Sequence, residues 1–455
     1  MVELTAVVHG AAEVATATGG LGSDDPAGVV EDGAVAVVDG AIAAVGPTDE
    51  VTREYPPANA VHEVDASGRA VIPGSVDSHT HACFAGDRSD EFEAKLRGTT
   101  YGELLANGGG IHRTVRATRA ATDDELLGNL LDHLDVMVAH GTTTVEVKSG
   151  YGLDTETELR MLDAIDRADD RHPVDVVPTF MGAHAVPREA DRREASDRAS
   201  GEAASRGRDP VDADDYVDRV VSEQLPAVES QGVAEFCDVF CDEGAFTVDQ
   251  SRRVLHAGAE RGLTPKVHAE ELAHRGGAKL AAEVGAASAD HLLHATDEDV
   301  GALVEAGVTP VLLPGTAFGL GADYADGRAM VDAGAPVAVA TDFNPNCHSQ
   351  STGFASALAC VEMGLTPAEA LVATTRNGAR ALDRPDLGAL REGAPADLVV
   401  LDAPSHVHVP YSYGVNRVAT VLKEGRPVVG PEWTGETGGD PGDGGGRGGG
   451  GGPDV

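Results

Sequence analysis

Residues 71–81 read VIPGSVDSHTH, a short apolar run that ends in two histidines with one residue between them. In an extended segment, positions i and i+2 point the same way, so His79 and His81 can grip one metal ion. Such a pair is weak evidence alone, because it arises by chance; the rest of the chain gives it weight. Seven further apolar runs lie at 142–148, 174–180, 235–240, 264–268, 287–290, 308–313 and 336–341. Most alternate with helix-like stretches such as 123–140, 154–169, 247–261 and 296–306. Strand alternating with helix implies parallel strands, and eight units imply an α/β fold closed as a (β/α)8 TIM-like barrel. Chemistry in such barrels sits at the C-terminal ends of the strands.

The other candidate residues end strands too. His268 follows the fifth run in KVHAEE, His291 the sixth in SADHLL, and Asp342 the eighth in VAVATDFNPN. Each alone would more often be structural; together they converge on one rim. His79, His81, His268 and Asp342 offer nitrogen and carboxylate donors without a thiolate, which suits one Zn or Fe ion per subunit. The run 235–240 contains no lysine, so a carbamylated lysine bridging two metals is not available there. Lys148, ending the second run, reads as a salt-bridged structural residue. A metal lowers the pKa of water toward neutrality and so supplies a nucleophile. Glu271 is positioned to move the water's proton. His291 can orient the water or stabilise a developing oxyanion. Glu271, His291 and Asp342 are thus the candidate catalytic residues.

Both ends of the chain are strand-rich. GAVAVVDGAIAAVG (33–46) places two apolar runs around Asp39-Gly40, a hairpin signal, and ADLVVLDA (396–403) and RVATVLKEGRPVV (417–429) alternate similarly. A small β-sandwich-like domain built from residues 1–68 and 386–432 would then flank a catalytic barrel at 69–385. The charged segment 188–215 has almost no large apolar residues and reads as a mobile surface insertion. Residues 433–455 form a Gly-rich tail unable to bury a core, and read as disordered.

Composition narrows the partners. The net charge is −41, and lysine stands only at positions 95, 148, 266, 279 and 423, so arginine supplies the other 29 of 34 basic residues. Dense carboxylates with scarce lysine point to a protein adapted to high salt, where counter-ions screen repulsion. A nucleic acid would be repelled. No apolar run approaches the roughly 18 residues of a membrane span. The first basic residue is Arg53, so a signal peptide's positive start is missing and a cytoplasmic location is expected. Five cysteines, an odd number, argue against a disulfide framework; Cys237 and Cys241 read as small buried residues.

Longer segments are more specific than the histidine pair: PGSVDSHTHACFAGDR (73–88), GGGIHRTVRATRAA (108–121), GTTTVEVKSGYGL (141–153), FMGAHAVP (180–187), LLPGTAFGLG (312–321), ATDFNP (340–345) and PYSYGVNRV (410–418). With KVHAEE and SADHLL they resemble the imidazolonepropionases, a family of the amidohydrolase superfamily, over roughly residues 30–430. The resemblance implies a (β/α)8 barrel with a small β domain, and it suggests a homodimer. It implies hydrolysis of 4-imidazolone-5-propanoate to N-formimidoyl-L-glutamate in histidine degradation. It puts the metal ligands on His79, His81, His268 and Asp342, and substrate contacts on Arg88, Tyr151, His184, Glu271 and Asn344. Two more contact positions fall on Asn346 and Cys347, where the family usually carries Gly-Ser, and Glu270 stands where aspartate is common. Arg88 can hold the substrate's carboxylate by a bidentate pair. A dihydroorotase-like or cytosine deaminase-like enzyme would keep the ligands but lack KSGYGL and GAHAVP. A non-catalytic scaffold of the same fold would have lost the ligands.

Overall fold

The computed structural model describes residues 3–99, 103–104, 108–188 and 212–430. Most of the insertion expected at 188–215 and all of the Gly-rich tail lie outside the described residues. The insertion's far edge is helical: Asp212 accepts the amide of Asp214 at 2.9 Å and starts the helix Ala213–Arg219. Tyr216 and Val217, just past the charged stretch, are buried and anchor that helix.

Turn chemistry sets the N-terminal strands. These are β1 (Leu4–Ala15), β2 (Val29–Val38), β3 (Ala41–Pro47) and β4 (His62–Asp65). Asp39 and Gly40 take positive φ, +49° and +82°, as a tight hairpin between β2 and β3 requires. The apolar run 71–77, read as one barrel strand, is in fact two: β5 (Ala70–Pro73) and β6 (Ser75–Asp77). Gly74 separates them, and a Cβ there would sit 2.2 Å from the Thr143 hydroxyl, so only glycine lets the chain pass from one sheet to the other.

The barrel strands continue as β7 (Thr142–Lys148), β8 (Asp175–Ala183), β9 (Phe236–Cys241), β10 (Thr264–Ala269), β11 (Ser288–His291), β12 (Thr309–Leu312) and β13 (Ala338–Val339). They lie side by side in chain order from β6 to β13, all parallel. Beyond the last residues of β6 and β13, Thr80 bridges Phe343, the Asp342 amide donates to the His79 carbonyl at 3.1 Å, and the His81 amide to the Phe343 carbonyl at 2.9 Å. The seam that nearly closes the barrel is therefore made by the segments carrying three of the candidate ligands. Alternation along β7 shows how the sequence sorts itself. Val145 and Val147 join the apolar core, while Glu146 and Lys148 meet charged residues of β9, β10 and β11. The helix-like stretches form where their start signals predict: Thr122, Thr247 and Thr296 each cap a helix with a reciprocal bond from the third residue.

The C-terminal end adds β14 (Leu398–Leu401), β15 (Val418–Lys423) and β16 (Arg426–Val429). β14 pairs antiparallel with β5, which joins both chain ends into one mixed sheet of order β16-β15-β14-β5-β1-β2-β3, with β4 also on β1. Ala6 and Val8 pack in one apolar cluster, and Val7 joins Ala34, Ala36 and Val51 in another, the period of two expected of a strand covered on both faces. All five cysteines are free, and Cys237 and Cys241 are buried. No helix among the described residues is long and apolar enough to cross a membrane.

Candidate metal centre

His79 and His81 follow β6, His268 lies in β10, His291 ends β11 and Asp342 follows β13; none is more than 3 % exposed. His79 Nε2 and His81 Nε2 stand 3.5 and 3.6 Å from Asp342 Oδ1, and His268 Nε2 lies 3.3 Å from His81 Nε2. Ligand atoms of His79, His81 and Asp342 fall within 4.8 Å of one another, as do those of His79, His268 and His291. His79 Nε2 and Asp342 Oδ1 are buried without a hydrogen-bond partner. A carboxylate oxygen and an imidazole nitrogen left bare in the interior cost free energy, unless a cation fills the space between them. The donor set thus fits a metal ion. Burial, reinforced by the charge of Lys148, pushes the His79 pKa far down, and burial with the neighbouring His184 does the same for His81. The neutral form is the one that binds metal. His291 and Asp342 take positive φ, +77° and +49°, so the backbone turns sharply where it presents these side chains.

A second layer orients the imidazoles, and sequence reading missed most of it. His79 Nδ1 donates to Asp290 Oδ2 at 2.6 Å, and His268 Nδ1 to Asp238 Oδ1 at 3.1 Å. Each bond fixes the proton on Nδ1 and turns the Nε2 lone pair toward the centre. Lys148 Nζ lies 2.7 Å from both Asp238 and Glu146 and 3.9 Å from Asp290, so its reading as a salt-bridged residue agrees with its place. Lys266 adds a 2.9 Å bridge to Glu146. Burial alone would raise the Asp238 pKa, but His268 and Lys148 hold it well below the usual carboxylate range. For Asp290 burial wins over Lys266 and Lys148 and pushes it up to about 6. One signal was available: a single acid inside the otherwise apolar run FCDVFC, which marks Asp238 as an unusual strand residue without saying what it meets.

Around this centre stand the remaining candidates. Glu271 Oε2 lies 3.6 Å from His291 Nε2. Its turn is pinned by Asp242, whose carboxylate accepts the amides of Glu271, Leu272 and Ala273 at 2.7, 2.9 and 3.1 Å. Burial, then the charges of Asp342 and Asp242, push the Glu271 pKa up to about 8. The His184 ring stacks on His81 with centroids 4.8 Å apart, and Tyr151 sits 5.3 Å from His184 and 5.9 Å from His81. His184 Nδ1 donates to the Gly150 carbonyl at 3.0 Å, and a Cβ on Gly150 would lie 3.0 Å from that nitrogen, so the glycine of KSGYGL is what lets the ring approach. Asn344 Oδ1 accepts the amides of Asn346 and Cys347 at 2.7 and 3.0 Å, which folds the loop after Asp342 into a compact turn. Cys347 is buried, and that burial pushes its thiol up to about 12. Arg88 is buried as well, at the start of the helix Ser89–Leu96, and among the described residues its side-chain hydrogen bond goes to Glu91, 2.8 Å from Nε, and not to any group of the centre.

The chain is similar to known proteins along most of its length. A family model described as the amidohydrolase family matches residues 70–428, and one described as an imidazolonepropionase-like composite domain of bacteria matches 33–58. The chain is 68 % identical over 434 residues to an imidazolonepropionase of Haloarcula marismortui, covering 95 % of this chain and 97 % of that protein. It is 57 % identical to an imidazolonepropionase of Halobacterium salinarum, covering 94 % and 99 %, and 48 % identical to one of Geobacillus kaustophilus, covering 88 % and 91 %. Among solved structures, a zinc-bound adenosine deaminase of Xanthomonas campestris superposes with a TM-score of 0.68 at 20 % identity, covering 94 % of this chain and 93 % of that one, a likeness of fold.

Proposed function

Because the chain belongs to the amidohydrolase family, and within it to the imidazolonepropionases, we propose a residue-by-residue account of how it performs that family's reaction. The reaction is hydrolysis of the cyclic amide of 4-imidazolone-5-propanoate to N-formimidoyl-L-glutamate. His79, His81, His268 and Asp342 would hold one Zn or Fe ion per subunit. Bound there, the ion supplies a Lewis acid and makes water acidic enough to attack near neutral pH.

The rest falls to the chain's own groups. Glu271, 3.6 Å from His291 and close enough to Asp342 to feel its charge, is the carboxylate placed to accept and return a proton. It takes a proton from the water as the water oxygen adds to the ring carbonyl carbon. It returns that proton to the ring nitrogen as the C–N bond breaks. His291, 3.6 Å from Glu271, orients the water. Tyr151, His184 and Asn344 hold the ring and tail, and Arg88 holds the propanoate. Asn346 and Cys347 shape the loop; a thiol pushed up to about 12 is a wall, not a nucleophile.

The observation that carries this reading is the convergence of buried, unsatisfied acceptor atoms, His79 Nε2 and Asp342 Oδ1, at the seam of the barrel. Purified enzyme should convert imidazolone propanoate to N-formimidoyl-glutamate and leave dihydroorotate-type cyclic amides and amino-azines untouched. Preference for one of those other rings would contradict it.

A further inference from the structure

Four of the chain's five lysines are ion-paired. Lys148 and Lys266 neutralise the carboxylates behind the metal centre, Lys279 pairs with Glu298, and Lys423 with Asp175 and Asp397. Lys95 differs. From the helix Ser89–Leu96 its ammonium donates to the neutral amide oxygen of Asn346 at 2.9 Å, and it makes no ion pair among the described residues. Burial, helped by the nearby charge of Arg88, lowers its pKa.

Arg88 stands at the start of the same helix. Its Nε is taken by Glu91 Oε2, while its two terminal nitrogens make no hydrogen bond to any described residue. The other oxygen of Glu91 accepts the Gly110 amide at 3.0 Å. Arg113, 3.8 Å from Glu91, has its own partner in Asp90. Arg88 and Lys95 therefore leave a positive corner in a chain of net charge −41. That corner adjoins the candidate metal centre through a short path: the Asn346 amide bonds Asn344 Oδ1, and Asn344 Nδ2 bonds the Asp342 carbonyl at 2.7 Å.

We propose that Lys95 is a second cation of the propanoate subsite: it shares the substrate's carboxylate with the terminal nitrogens of Arg88, and Asn346 holds the ammonium ready. This rests on the functional reading above and adds a specificity-determining residue to it. A carboxylate offers about four lone-pair directions, so an arginine fork leaves room for an ammonium. A lysine resting on a neutral amide can exchange it for a carboxylate without stranding another charge. An ion-paired lysine cannot. Two cations held partly out of water also suit strong salt, where the Debye length falls to about 3 Å at 1 M and a single exposed contact is screened.

The test compares 4-imidazolone-5-propanoate with its neutral propanamide analogue in wild type, Lys95→Met and Lys95→Arg. Lys95→Met should raise KM for the carboxylate substrate about tenfold, keep kcat within about twofold, and leave kcat/KM for the analogue unchanged. Lys95→Arg should recover most of the loss. Equal losses on both substrates would make Lys95 a structural prop, and no loss on either would remove it from the site; each result overturns the proposal. A wild type that opens neither ring overturns the functional reading and the subsite with it, an outcome plainly distinct from the other two.

Discussion

Asp290 and Asp238 illustrate what single residues do here. Neither would touch a metal, yet each sets the tautomer of an imidazole by accepting its Nδ1–H, at 2.6 and 3.1 Å. Replacing Asp290 by Asn removes the negative charge behind His79 while keeping the size. Metal affinity should fall about 10- to 100-fold, the usual cost of losing such a partner, with secondary structure unchanged. Competition against a chelator measures it, and an unchanged dissociation constant would detach Asp290 from the centre. At this scale the sequence was informative where chemistry is conspicuous. Histidines and an aspartate ending separate apolar runs declare themselves, and so do the glycines of KSGYGL. Asp238, Glu146 and Lys266 did not, because a charged residue within a strand looks the same whether it faces solvent or another charge. Only the curling of the sheet into a nearly closed barrel brings β7, β9, β10 and β11 round to one interior.

Among the elements, the division of 71–77 into β5 and β6 was the feature least legible in the sequence. An apolar run records burial but not which sheet takes each half; Gly74, wedged against Thr143, was the mark of the change. The joining of the two chain ends can be tested through Glu13 of β1, whose carboxylate accepts from the ring of His406 at 2.7 Å and from the His406 amide. Burial raises the Glu13 pKa, but the bonds to His406 outweigh it and the net shift is downward from the ordinary 4.5. A carboxyl whose pKa is depressed by folding stabilises the fold above its unfolded value, and that stability is lost as pH falls through the lowered one. Wild type should therefore melt above Glu13→Gln, by on the order of 1 kcal/mol at about pH 6, and the gap should narrow as acid protonates Glu13. A gap that persists or widens on acidification would reverse the assigned sign.

Taken whole, the molecule carries a net charge of −41, and its relatives include proteins of Haloarcula marismortui and Halobacterium salinarum. Carboxylate repulsion at low ionic strength opposes the compact state, and salt relieves it. Melting temperature and activity should both rise from dilute buffer to molar salt; equal stability in the two would mean that the acidic surface is no adaptation to salt. The proposed function also makes one claim that involves the entire chain: a single rim, assembled from the ends of β6, β10 and β13, would hold a single metal on which turnover depends. Metal-free protein titrated with Zn or Fe, with turnover and bound metal read on the same samples, tests it directly. Activity should climb to a plateau at one equivalent per chain, and His79→Ala should neither bind the metal tightly nor turn over. Full activity without metal, or a plateau only at two equivalents, would contradict the account.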